Sequence, residues 1–113
     1  MDDQRRGLRF AFTAEAEIAA ERSPTAFAPA RVTELSLRGC LLESTASFEV
    51  KSPVLVKIYN AGEFLEAEAS VLYVRPSGLG LVFREIKPHF RAVLQKWILA
   101  ALDKQTEAQL TTE

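Results

Sequence analysis

From Leu8 to Ile18 the apolar residues fall on even numbers, Leu8, Phe10, Phe12, Ala14, Ala16 and Ile18, with Arg9, Thr13, Glu15 and Glu17 between them. A period of two sends alternate side chains to opposite faces of an extended chain, so this segment is predicted to be a half-buried strand. Residues 21–29 carry two prolines and read as a connecting loop, after which strand character resumes over 31–35. A polar corner follows at Ser36 to Gly39, and Cys40, Leu41 and Leu42 lead out of it as a further strand. In that corner Ser36 is suited to hydrogen-bond its own turn, and Gly39 to take a positive φ or to let another group approach the backbone. Residues 48–59 interleave Val50, Val54, Val56 and Ile58 with Lys51 and Lys57, the regular part starting near Pro53. Asn60-Ala61-Gly62 reads as a hairpin loop. The return strand, 63–75, sets Leu65, Ala67, Ala69, Val71 and Tyr73 on one side and Glu66, Glu68 and Ser70 on the other, and its far end is apolar on both faces at Leu72 and Val74. After a turn at Pro76-Ser77-Gly78, residues 80–84 form a last short strand, with Gly80 where a bulky side chain would fill the space.

One helix is predicted, over 87–102, where Phe90, Val93, Leu94, Trp97, Ile98, Ala101 and Leu102 form a single stripe at helical spacing, with Pro88 at its first turn. Short turns between neighbouring strands favour an antiparallel meander or barrel over a parallel sheet, with the helix covering an open end or seam. The polar segment 103–113 is expected to fray as a tail.

Composition narrows the chemistry. With 113 residues the chain suits one domain, and its net charge of −1 gives no bulk attraction for nucleic acid or an anionic membrane. Any anion site must come from a local cluster. One cysteine, Cys40, excludes an internal disulfide, and with a single histidine, His89, there is no His- or Cys-based metal constellation. No signal-like segment or run of membrane-spanning length stands out, so a reducing cytoplasm is expected. Nothing resembles a nucleophile, base and orienter set, and no enzymatic activity is expected. Glu66 and Glu68 read as a solvated strand face, Cys40 as a buried strand residue and Trp97 and Phe90 as core.

Arg5 and Arg9, in the segment QRRGLRF, match the spacing RxxxR, and Ser36 and Gly39 match the end of [D/N]xSxxG, with Glu34 standing where Asp or Asn is usual. In order, separation and the later GLGLVF run, Gly78 to Phe83, the chain resembles the PilZ domain family from about residue 5 to 102. The resemblance implies a mainly β fold, a six-stranded antiparallel β-barrel with a C-terminal α-helix, and a bacterial second-messenger receptor that binds cyclic di-GMP and needs no other cofactor. It implies a flexible arginine arm at residues 1–9, a barrel with its helix over 10–102 and the polar tail beyond. It also implies ligand contacts from Arg5, Arg6, Arg9, Glu34, Ser36 and Gly39.

The chemistry of those residue types suits the ligand. A guanidinium forks to phosphate oxygens and stacks on a purine, and a carboxylate accepts from the guanine N1–H and N2–H₂ edge. Arg5 and Arg9 are the expected clamps, with Arg6 as a third cation. Replacing Asp by Glu34 keeps the charge and lengthens the arm by about 1.5 Å. A domain without output machinery works through an effector protein, as monomer or homodimer. The alternative is an adaptor of the same fold that binds proteins and not the dinucleotide. A β-barrel that binds RNA is disfavoured, because the cations do not form a stripe with interleaved aromatics.

Overall fold

The computed structural model describes the backbone of residues 10–111 and the side chains of residues 10–103. The even-numbered apolar pattern forms strand β1 (Phe10–Ala20), which is followed by β2 (Ala28–Leu35), β3 (Gly39–Glu43), β4 (Pro53–Asn60), β5 (Glu63–Arg75) and β6 (Gly78–Glu85). A single helix, α1 (Pro88–Thr111), completes the described chain. Every strand pair is antiparallel, and the order β1-β2-β3-β6-β5-β4 closes on itself as a six-stranded barrel.

Alternation fills the barrel. Ala14, Ala16 and Ile18 from β1, Val54, Val56 and Ile58 from β4, and Leu65, Ala67, Ala69 and Val71 from β5 are all buried, as are Val32, Leu35, Cys40, Leu42, Leu79 and Leu81. One ring of the core runs across five strands in register, Phe10 to Leu35 to Cys40 to Leu81 to Val71. The intervening charged residues stay outside, where Glu66 lies 3.5 Å from Lys57 and Glu68 3.7 Å from Arg84.

The β4–β5 hairpin turns on two residues, Ala61 (φ 54°) and Gly62 (φ 79°), and positive φ at both central positions is the signature of a type I′ turn. Two residues, Pro76 and Ser77, likewise join β5 to β6. Gly80 is bare for the reason its sequence context suggests: a Cβ there would overlap the ring of Tyr73.

Helix α1 packs on β5 and β1 and buries Phe90, Leu94, Trp97 and Ile98, with Phe12 of β1 stacked on Trp97 at 5.7 Å between ring centroids. It therefore covers one end of the barrel. Two sequence expectations change here. The helix continues through Thr111, nine residues past its predicted end, because the polar segment contains Lys, Gln, Glu, Ala and Leu, all good helix formers. Leu102, expected on the buried stripe, is exposed, as is Leu99.

Tyr73 also departs from its predicted face. Val71 pairs with Leu81 but Tyr73 with Gly80, so Leu72 is an extra residue, a β-bulge that reverses the phase of the strand beyond it. Leu79 and Leu81 point into the core, so Gly80 and its partner Tyr73 lie on the outside, while Val74 faces the barrel end opposite Leu79.

Candidate functional site

The corner between β2 and β3 is held by one serine. The Ser36 hydroxyl accepts from the backbone N–H groups of Arg38 and Gly39, each at 3.1 Å, and reaches the Gly39 carbonyl at 3.3 Å. Its own N–H donates to that carbonyl at 2.9 Å. The corner is tied to β6 as well, through the Phe83 N–H donating to the Arg38 carbonyl at 2.7 Å. Ser36 is the one buried polar side chain among the described residues, and this bonding accounts for it.

Gly39 does not take a positive φ. Its lack of a side chain serves close approach, because a Cβ would overlap the Leu81 carbonyl on β6. The glycine lets β3 and β6 close the barrel. Ser36 and Gly39 thus have structural duties of their own, and of the three corner residues Glu34 is the one that faces outward.

Glu34 is half-buried and pairs with Ala11 on β1 and Leu41 on β3. Its strand is irregular at that point. Between Val32 and Glu34 the register against β3 slips by one residue, and between Ala11 and Ala14 the register of β1 against β2 slips too. Bulges re-aim side chains, and both of these flank the carboxylate. Thr33, the extra residue of β2, donates to the Leu41 carbonyl at 3.5 Å, a long and weak contact.

A surface row results. Ala11, Glu34, Leu41, Gly80 and Tyr73 are successive register partners across β1, β2, β3, β6 and β5, and partners in an antiparallel pair share a face. Neighbouring positions on the same strands are core, so this row is the outer flank of the barrel. Beside it lies an open groove of about 980 Å³ lined by Glu15, Arg31, Glu43, Ser44, Phe48 and Arg75, among others. Within it Glu15 and Arg31 are 3.9 Å apart. Sequence periodicity gave no signal for this row, since the bulges that create it are local exceptions to alternation.

Arg5, Arg6 and Arg9 lie outside the described residues. Phe10, which follows Arg9 directly, pairs with Leu35, so the chain enters the barrel beside the β2–β3 corner. Cys40 is enclosed in the core next to that corner, and burial pushes its thiol up to about 12. A thiol with that pKa is unreactive at neutral pH. Among the described residues no group of three His, Cys, Asp or Glu side chains is placed to hold a metal ion, and no helix is long and apolar enough to cross a membrane.

A closed six-stranded antiparallel barrel with a C-terminal helix over one end defines the fold class. The sequence profile of the PilZ domain matches residues 3–100, and the chain belongs to the PilZ domain family. Two solved structures share the fold. The PilZ domain of CeSA from a cellulose-synthesizing bacterium superposes with a TM-score of 0.66 at 15% identity, covering 82% of this chain and 96% of that one. The Bacillus subtilis inhibitor of motility, MotI/DgrA, superposes with a TM-score of 0.67 at 16% identity, covering 88% of this chain and 50% of that one. The chain thus spans half the length of the motility inhibitor. No curated protein matches it in sequence.

Proposed function

We propose that the chain is a cyclic di-GMP receptor domain that holds the dinucleotide between Arg5, Arg6 and Arg9 and the Glu34–Gly39 surface, and signals through an effector protein. The observation that carries this reading is the junction of the two motifs. Phe10 pairs with Leu35 and Ala11 with Glu34, so the RxxxR segment leads into the barrel at the corner that bears the second motif. Arg9 directly precedes Phe10 in the sequence, and guanidinium forks bind phosphates bidentately. Glu34, facing outward, is the acceptor for a guanine edge. Binding draws the N-terminal segment onto the barrel flank and so changes the face a partner meets. The domain binds and does not catalyse.

Calorimetric titration of the full chain with cyclic di-GMP tests the reading. The expected result is micromolar binding that Arg9→Ala abolishes while leaving the melting temperature of the free protein unchanged. Full affinity in Arg9→Ala would remove the arginine from the site.

A second reading is favoured by Glu34 itself, one methylene longer than the usual Asp. A charge-assisted hydrogen bond is worth about 1.5–3 kcal/mol, against about 8 kcal/mol for micromolar binding, so one misplaced carboxylate weakens a site severely. On this reading the domain is a protein adaptor without the ligand, and Glu34→Asp gains binding that the parent lacks.

A further inference from the structure

We infer that the outer face of β1, β4 and β5 is a docking surface for an arginine-bearing segment of a partner protein; this rests on the effector step of the reading above and not on its dinucleotide. Register lays the face out as a grid. Glu15, Tyr59 and Phe64 are successive partners across the three strands, Glu17, Lys57 and Glu66 form the next row, and Leu55 faces Glu68 in the third. The residues between them, such as Ala16, Ile58 and Leu65, are buried in the barrel, so alternation turns the grid outward. Two aromatic rings stand on it in water, Tyr59 at 39% exposed and Phe64 at 45%. Both are anchored. Phe64 lies between Tyr59 and Phe90, with ring centroids at 6.0 and 5.5 Å, and Phe90 is buried under α1. The Tyr59 hydroxyl donates to Glu17 at 2.9 Å. Rings held in place beforehand lose little freedom when a partner covers them, and aromatic anchors carry much of the energy of protein interfaces.

Charge selects the occupant. The three strands turn Glu15, Glu17, Glu66 and Glu68 to this face against Lys57. With Glu21 and Glu85 and with Arg31, Arg84 and Lys87 at the margins, six carboxylates meet four cations, on a chain whose net charge is only −1. The ion pairs within it are exposed and long, Glu66 to Lys57 at 3.5 Å, Glu68 to Arg84 at 3.7 Å and Glu15 to Arg31 at 3.9 Å, so they yield readily to a partner's cation. At one point like charges meet, because Glu68 and Glu85 are direct cross-strand partners. That juxtaposition is unfavourable until a cation lies beside it. Next to the pair Leu55 and Phe90 line a recess of about 250 Å³ rimmed by Glu66, Glu68 and Glu85. A side chain with an apolar stem and a cationic head fits such a place. A guanidinium does so and also stacks on exposed rings such as Tyr59 and Phe64, whereas nucleic acid and anionic lipid are repelled by the surplus carboxylates. Glu15 and Glu17 belong to β1, the strand into which the arginine segment leads, so the face shares an element with the proposed ligand corner.

Magnetic resonance titration of the isotope-labelled chain with an octapeptide of alternating arginine and threonine, in the absence of cyclic di-GMP, tests this. A lysine–threonine peptide of the same length is run beside it. Shifts are expected to cluster at residues 55–59 and 64–68, with the arginine peptide binding about fivefold more tightly than the lysine one. Phe64→Ser and Glu66→Lys each weaken the arginine peptide about fivefold; Glu66 is exposed, so its reversal spares the fold. Glu43→Lys makes the same change in net charge on β3, across the barrel from β4, and keeps parental affinity. An equal loss in Glu43→Lys would mark bulk attraction and overturn the site, as would shifts centred elsewhere or none at millimolar peptide. Equal binding of the two peptides would overturn the assignment to arginine. With no dinucleotide present, failure here leaves the receptor reading standing, and a chain that does not bind cyclic di-GMP leaves this face standing.

Discussion

At position 39 a missing side chain decides how the barrel closes, because β3 and β6 approach until the Leu81 carbonyl occupies the place of a Cβ. The same few residues divide the work of the corner: Ser36 closes it through its hydroxyl, and Glu34, two residues before it, is half-buried on the outer side of β2. Next to Gly39, Cys40 is buried in the core. Burial disfavours its thiolate and raises the pKa from 9.0 to about 12. The unfolded chain therefore releases this proton at lower pH than the folded one, so stability is full below pH 9 and declines as pH rises from 9 toward 12. The expected slope is about 1.4 kcal/mol per pH unit. Urea denaturation of parent and Cys40→Ala between pH 8 and 11 measures it, and the Cys40-dependent part of the alkaline decline vanishes in the variant.

The elements follow the sequence wherever periodicity is unbroken. Strands β1, β4 and β5 and the start of α1 are all legible from alternation or helical spacing, and the bareness of Gly80 from its place in a strand. What could not be read is set by single residues that break the pattern. The extra residue at Leu72 carries no chemical mark, so alternation puts Tyr73 in the core when it lies outside. Polarity after Leu102 reads as a stop, yet polar helix formers carry α1 onward. The resemblance of the two motifs pointed to the corner, but which of its residues face outward depends on register. The β4–β5 hairpin keeps a residue that its turn disfavours, Ala61 at φ 54°. A left-handed conformation costs an ordinary residue about 1 kcal/mol, whereas Asn suits the first central position of a type I′ turn. Ala61→Asn is thus expected to raise the melting temperature by about 4 °C, as read by circular dichroism; an unchanged or lower value would count against the turn assignment.

For the whole molecule the helix and the barrel form one structure joined through aromatic rings. Trp97 is 3% exposed and stacks on Phe12, two residues into the strand that the arginine segment leads into. Removing that side chain leaves a large cavity under the helix, and Trp97→Ala is expected to cost about 3–5 kcal/mol. Circular dichroism during urea unfolding is the appropriate probe, because the substitution removes the chain's one tryptophan. A loss below 1 kcal/mol would mean that the helix is not part of the barrel's core.

The strand order has a consequence for how such a chain comes into being. The first four strands can assemble only as an open curl, with β3 exposing one edge and β4 the other, since β3 waits for β6 and β4 for β5. The β5–β6 hairpin fills both vacancies together, like the last two staves of a cask. During synthesis the barrel therefore stays unsealed until residue 85 has left the ribosome, and its unpaired edges are open to neighbouring chains in the interval.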